Sequence, residues 1–319
     1  MRAIGALVLR RVLTLIPLML GVIAFIFIVL ALAPNSAAIY VLGDSATPAQ
    51  IAAFNHAHGL DRALPVQYVS FLGDLLHGNL GTTYTLNQSV SAIIGNALPV
   101  TIQLTLLGIV GAIVIALVLG MIGAVYRGRW PDQVTRLVSI AGIAMPSFWL
   151  AILLIQRLSV IGGGPFPSGH YISPGDSFTG WLSTMTLPAI ALAVPVGCGL
   201  SRVVRTSMVE ELDKDYVRTA IGAGLPPRVV VGRNVLRNAL ITPLTALGLQ
   251  VGYLLGGAII LEAIFSLPGM GTQMMAAVTQ ADIGLARGIV ITIAGAFIVV
   301  NLLVDVLYII VDPRQRSAH

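Results

Sequence analysis

The chain has 319 residues, of which 56% are apolar and only 10% charged, with a formal charge of +5 and a mean hydropathy of +0.92. Soluble domains carry about 25% charged residues, so a water-soluble globular protein is excluded and a lipid-embedded one is expected. A single cysteine, Cys198, excludes an internal disulfide framework and a cysteine metal site within this chain.

Apolar runs near 9–33, 99–125, 136–160, 183–205, 240–263 and 286–311 are each long enough to cross a hydrocarbon core, which takes roughly 20 helical residues. They are apolar all round instead of alternating, which excludes barrel strands. The expected fold class is therefore all-α, a polytopic membrane protein with six transmembrane helices. Arg10 and Arg11 before the first run, and Ala31-Leu32-Ala33 at its end, also suit a secretory signal. The run is about twice the length of a signal core, so it reads as a retained first helix. With that N-terminus inside, only Arg62, Arg157 and Arg287 of the 18 basic residues fall on the outer side. This bias places both termini in the cytoplasm, and the positive charge then reflects topology and not nucleic-acid binding.

Between the first two runs, 34–98 is the longest segment outside the membrane. Thr47-Pro48 caps a short helix expected to end at Gly59, and 66–76 suits a second, amphipathic helix lying along the membrane surface. Neither is large enough to build its own core. The expected division is 1–98, a first span with an external segment, and 99–319, a five-helix core carrying a cytoplasmic loop at 207–238. The stretch 162–180 is rich in Gly and Pro and reads as irregular. Pro268-Gly269-Met270-Gly271 breaks the chain where the fifth span should end. Gly108, Gly111, Gly120, Gly123, Gly252, Gly256 and Gly257 favour close helix packing.

The polar insert SMVEELDKDYVRTAIGAGLPPRVVVGRNVLRN, 207–238, separates the fourth and fifth runs. Glu210, Glu211, Asp213 and Asp215 crowd the expected start of a short helix, with Arg218 following. Gly222 and Gly224 weaken that helix and Leu225-Pro226-Pro227 stops it. Arg228 to Leu236 resumes as an amphipathic helix that leaves Arg228, Arg233 and Arg237 for water or a partner. Local pattern alone supports two readings equally: a helix–turn–helix that docks in a groove of another protein, or a solvated loop whose charges set topology.

This insert resembles the coupling motif, or EAA loop, of type I ABC importer permeases. Arg218-Thr219-Ala220 and Gly224 occupy the motif positions, in the variant of dipeptide, oligopeptide and nickel permeases. RRVLTLIPLMLGV, HGLDRALPVQYVSFLGDLLHGNLGTTY, MPSFWLAILL, LRNALITPLTALGLQVG, AIFSLPGMG and NLLVDVLYIIVDPR resemble that subfamily in the same order, over nearly the whole chain. Two departures stand out: Ile221 and Ala223 replace basic residues inside T-A-x-A-x-G, and Asn35-Ser36 replaces Gly-Asp after the first Leu-Ala-Pro.

The resemblance implies the first permease chain of an importer for dipeptides or oligopeptides, in a bacterial inner membrane. It also implies a second permease chain, two cytoplasmic ATPases and an external solute-binding protein as partners. Nickel chelates or haem are alternative cargoes for the same machinery. Asp215, Tyr216, Val217, Arg218, Thr219, Ala220, Gly224 and Leu225 would make the main ATPase contact, supported by Arg228, Arg233 and Arg237. ATP and Mg would be used by the ATPases and no cofactor bound here. Independently, Lys214 is the only lysine, so no G-x-x-x-x-G-K-[ST] phosphate loop exists in this chain.

Glu262 with Phe265, near the outer end of the fifth run, and Gln250 within it are candidates for the translocation path or outer gate. A local structural contact with the 265–271 turn is the stronger reading for Glu262, and a structural pairing the stronger one for Asp305. Arg157 and Arg287 sit near the outer boundary, where long side chains reach water without a special role. His56 and His58 diverge on a helix, so no metal site is expected. Ser201, Thr206, Asn234 and Asn238 serve helix contacts as readily as a path. No G-x-S-x-G or H-E-x-x-H motif supports an enzyme. A homo-oligomeric channel is the rival from another class, and the single asymmetric loop argues against it.

Overall fold

The computed structural model describes the backbone of residues 16–17, 19–25, 27–29, 37–85 and 87–311, with side chains as far as Leu302 except at Ile161. Most of the first expected span, 9–33, lies outside the described residues, as does the side chain of Asp305. In chain order the helices are α1 (Ala37–Leu42), α2 (Pro48–Ala57), α3 (Leu64–Leu76), α4 (Val90–Val125), α5 (Trp130–Ala144), α6 (Ser147–Leu158), α7 (Phe178–Leu212) and α8 (Asp215–Gly222). There follow α9 (Pro227–Val229), a π-helical turn (Val230–Val235), α10 (Leu236–Ala239), α11 (Ile241–Phe265), α12 (Met270–Thr279) and α13 (Ile283–Val311). Among the described residues the only β pairing is two isolated bridges, Thr82–Ser89 and Ser159–Phe166.

Among the described residues four helices, α4, α7, α11 and α13, are long and apolar enough to cross a membrane. The expected third span, 136–160, is not one straight helix. It is α5 and α6, bent by 101° at Met145-Pro146. Pro146 has no N–H to continue the helix, and its ring pushes Met145 into an extended conformation, φ −81° and ψ 118°.

Two compact units divide the chain: residues 1–100 with 268–302, and 101–267 with 303–319. In the first, the Thr47 hydroxyl accepts from the Gln50 N–H while the Gln50 side chain accepts from the Thr47 N–H, a capping box opening α2. The helix stops at Ala57 and Gly59 turns the chain at φ +63°. Helix α3 lays Tyr68, Phe71, Leu72 and Leu75 on Ile23, Phe27 and Ile291. The buried Asp282 carboxylate takes the Leu285 N–H at the start of α13 (3.0 Å) and the Tyr84 N–H (2.8 Å), pinning the 82–89 turn to that helix.

In the second unit the neighbours gather on α7. A Cβ at Gly120 would lie 2.6 Å from the Val204 Cβ and 2.9 Å from the Ser201 carbonyl, and one at Gly111 would lie 2.8 Å from the Ala193 Cβ. Gly142 of α5 meets Cys198 of α7 as closely. Helix α5 is amphipathic in the sense opposite to a soluble helix. It buries Asp132, Thr135, Ser139 and Gly142, one per turn, and exposes Trp130 (75%), Leu137 (68%) and Ile140 (58%). That inversion suits a helix whose surroundings are hydrocarbon and whose polar groups must be satisfied within the protein.

Helix α7 has 35 residues, about 52 Å at 1.5 Å per residue, against a hydrocarbon core of about 30 Å. The helix is therefore longer than the hydrocarbon core it crosses. Glu210 and Glu211 accordingly finish α7 instead of opening the next helix, a correction to the expectation drawn from their charge. The buried stripe Val204, Met208, Glu211 continues the helical period and holds this extension.

Filling the α4–α7 seam should destabilise the chain while filling open space should not. Gly120→Leu is expected to cost about 1–3 kcal/mol by overpacking. Gly256→Ala, which meets nothing within 4 Å, should change stability by less than about 0.5 kcal/mol. Thermal unfolding of the two purified variants in one detergent checks the ranking.

Candidate functional site: the loop at 207–238

The loop is built in the second unit from the end of α7 to the start of α11. Asp213 closes α7, with its N–H bonded to the Val209 and Glu211 carbonyls, and Lys214 starts α8 in an extended conformation. Asp215 opens α8, where a carboxylate suits the helix N-terminus. The helix ends because Gly224 takes φ +83°, a left-handed conformation, with the Leu225 N–H bonded to the Ala220 carbonyl at 3.2 Å. Pro226 and Pro227 then restart the chain into α9. Arg228 to Leu236 is not a regular α-helix, since Val230–Val235 is π-helical.

Side chains of the loop fall into two sets. Val217, Val230, Val235 and Ala239 are buried and pack the loop on itself. Around Glu211, which is buried, the Lys214 ammonium, the Tyr216 hydroxyl (2.9 Å) and then Asn238 (3.4 Å to the Tyr216 oxygen) join the ends of α7, α8 and α10. Burial first, and the Glu211 carboxylate as well, raise the Tyr216 phenol above its ordinary pKa against a lowering contribution from Asn238, so it stays a proton donor. The second set faces outward: Asp215, Arg218, Thr219, Gly224, Arg228, Arg233 and Arg237, with the apolar Ile221 (48% exposed), Leu225 (44%) and Val229 (43%). Arg218 and Asp215 form only a loose, exposed pair at 3.8 Å, which leaves the guanidinium available.

A second ionic cluster braces the C-terminal part of α7. The Asp132 carboxylate, fully buried, accepts from Arg205 at 2.6 and 2.8 Å, from Arg136 at 3.1 and 2.9 Å, and from the Gly128 N–H at 2.9 Å. Arg127 donates to Asp213 at 2.8 Å nearby. The sequence reading missed this cluster. Arg136 four residues after Asp132 is a visible helix pair, but Arg205 lies far along the chain and only folding brings it in.

Chains of known kind resemble this one along its length. The family of binding-protein-dependent transport system inner membrane components matches residues 116–317, and that of their N-terminal segment matches 5–105. The chain belongs to this family. It is thus an inner membrane component of a transport system, a permease and not an enzyme. A chain of Brucella abortus (strain 2308) named for a peptide transport system permease is 38% identical over 311 residues, which is 98% of this chain and 99% of that one. The dipeptide transport system permease protein of Alkalihalophilus pseudofirmus is 35% identical, over 98% of this chain and 99% of its own. The glutathione transport system permease protein of Salmonella typhi is also 35% identical, over 97% and 98%. An inward-facing structure of the MetNI methionine ABC transporter shares the fold, with a TM-score of 0.56 at 15% identity over 70% of this chain and 97% of that one.

For this permease the candidate path residues do not come together. Glu262 and Phe265 are buried in the second unit, and the Leu267 N–H closes α11 on the Glu262 carbonyl at 2.9 Å. Gln250 is exposed on α11, about 18 Å away along the helix axis. His56 and His58 both lie at the end of α2. There the His58 ring stacks on Phe54 at 4.2 Å and Tyr84 at 4.8 Å.

Removing one partner of the Asp132 cluster isolates a buried charge. Arg205→Ala, which loses the less exposed guanidinium, should cost about 3–5 kcal/mol, and Arg136→Ala, whose side chain is half exposed, about 1 kcal/mol or less. Thermal unfolding of the two variants side by side tests that order.

Proposed function

We propose that this permease is the first of two different permease chains in an ATP-driven importer of dipeptides or oligopeptides. The observation that carries the reading is that Ile221, Leu225 and Val229 are each exposed on the loop, as are Arg218 and Arg228. Exposed apolar side chains interspersed with arginines on a polar loop suit a groove on a soluble partner better than they suit water. In this reading the partners are two cytoplasmic ATPases, which alone use ATP and Mg, a second permease, and an external solute-binding protein that presents the cargo. The peptide cargo is favoured by the names carried by the Brucella and Alkalihalophilus relatives.

The chain would cross the membrane six times with both termini in the cytoplasm, α5 and α6 forming one broken crossing. Residues 1–98 would supply the first crossing and the external segment, and 99–319 the core with its coupling loop. Residues 215–225 would take the main push from the ATPases, with Arg228, Arg233 and Arg237 in support. Closure of the ATPases would then bias the pathway between outward and inward access. Glu262, Phe265 and Gln250 remain the residues proposed for the path or the outer gate.

The tie at the α7 side of the loop gives this mechanism its lever. Glu211 joins α7, α8 and α10, so a displacement of α8 reaches α7 without a flexible joint. Gly224→Asp, which puts a side chain at φ +83° where non-glycine residues cost about 1–2 kcal/mol, should leave the chain inserted and assembled. Peptide uptake by vesicles carrying the variant should fall at least about tenfold while the ATPase activity persists. Uptake at the wild-type rate would remove the coupling role from this loop. Isolation of the tagged chain with no nucleotide-binding subunit, as a homo-oligomer, would favour a channel instead.

A further inference from the structure

Arg287 lies one turn into α13, in the first unit. Its guanidinium carbon sits 3.9 Å from the centre of the Phe27 ring. Its Nη2 donates to the Gln67 Oε1 at 3.5 Å, and its buried Nε has no hydrogen-bond partner. Gln67 is itself held in place, its amide donating to the Leu60 and Arg62 carbonyls at 3.3 and 2.8 Å. Asp282, the carboxylate closest in the helix, gives both oxygens to the backbone N–H groups of Tyr84 and Leu285. Among the described residues no carboxylate stands within ion-pair distance of Arg287. A partly buried cation in this condition is costly unless an anion from outside the chain meets it.

What continues from that cation is apolar. A groove of about 460 Å³, lined only by apolar side chains, runs between Ile16, Met19, Leu20 and Ile23 on one side and α3 and α13 on the other, with Leu72, Leu75, Leu76, Val299 and Leu302 among its walls. Ile23 and Leu72 also belong to the cluster that holds Phe27, so the groove begins beside the ring on which Arg287 stacks. Arg287 to Leu302 covers about 22 Å of helix, enough for one leaflet of hydrocarbon at about 15 Å. A cation at one end and a long apolar groove on the same helices match an amphiphile with an anionic head. A free anion would leave the groove empty, and a short peptide would leave most of its walls bare.

We propose that the first unit holds a phospholipid of the outer leaflet, its phosphate on the Arg287 guanidinium and one acyl chain in the groove lined by Ile16 to Ile23, α3 and α13. The full-length chain, with the subunits that purify with it, would be placed in nanodiscs of phosphatidylethanolamine and phosphatidylglycerol, re-extracted into mild detergent, washed, and its retained phospholipid counted by mass spectrometry. The wild-type chain should retain phospholipid. Arg287→Ala should lower retention about tenfold, Arg287→Lys by less, and Val299→Trp, which fills the groove from an exposed wall and leaves the guanidinium intact, should lower it as well. Wild-type retention by Arg287→Ala or by Val299→Trp would overturn the proposal. Displacement of the retained lipid by inorganic phosphate alone would overturn it too, by showing a site for free anions. If Arg287→Ala does not assemble, the groove-filling variant and the phosphate competition decide. The readout counts lipid and not uptake, so failure here is separate from failure of the importer reading.

Discussion

In a hydrocarbon solvent, apolar side chains gain little by meeting one another, so helices in a membrane must be held by close packing and by polar pairs. The second unit answers this constraint along α7. Gly111 and Gly120 of α4 and Gly142 of α5 bring backbones to within a methyl group of α7. The Ser139 and Ser201 hydroxyls meet at 2.7 Å, and Arg205 closes on Asp132. Dispersion acts only at contact distance, which is why the seam is made of the smallest residues. The polar groups cannot turn outward, because no water waits there to satisfy them.

From that seam the loop at 207–238 inherits its stiffness. Helix α7 is long enough to leave the bilayer as an unbroken rod, and the Glu211 knot fastens α8 and α10 to its end. The π-helical turn at Val230–Val235 interrupts the return path to α11, a place where a register of main-chain bonds is less regular than in an α-helix. A loop tied on one side to a rod and on the other to an irregular turn has one stiff and one compliant connection.

The first unit solves a different problem with the same chemistry. It has turns to hold in place, and it does so with polar anchors: Asp282 on two backbone N–H groups and Gln67 on two carbonyls. The aromatic stack of Phe54, His58 and Tyr84 covers one of those turns. Burial pushes the Tyr84 phenol above its ordinary pKa, against Arg287, which lowers it, so the ring stays neutral inside this cover.

Much of this was legible in the residues themselves. Long apolar runs, the Thr47 cap, the break at Pro268-Gly269 and the stop at Gly224 are local signals, each set by a backbone or solvation preference that needs no distant partner. So was the class of the molecule, because so many ordered segments resemble one subfamily. The bend at Met145-Pro146 was written in a proline yet hidden by the continuous hydropathy around it. Only the tertiary structure decided which carboxylates matter. Asp132 and Arg205 meet because α5 lies on α7, and among the described residues no carboxylate comes within ion-pair distance of Arg287, while Asp282 holds the backbone N–H groups of Tyr84 and Leu285. Charge pairing depends on separations of a few ångströms between residues far apart in the chain, and a linear sequence does not contain those distances.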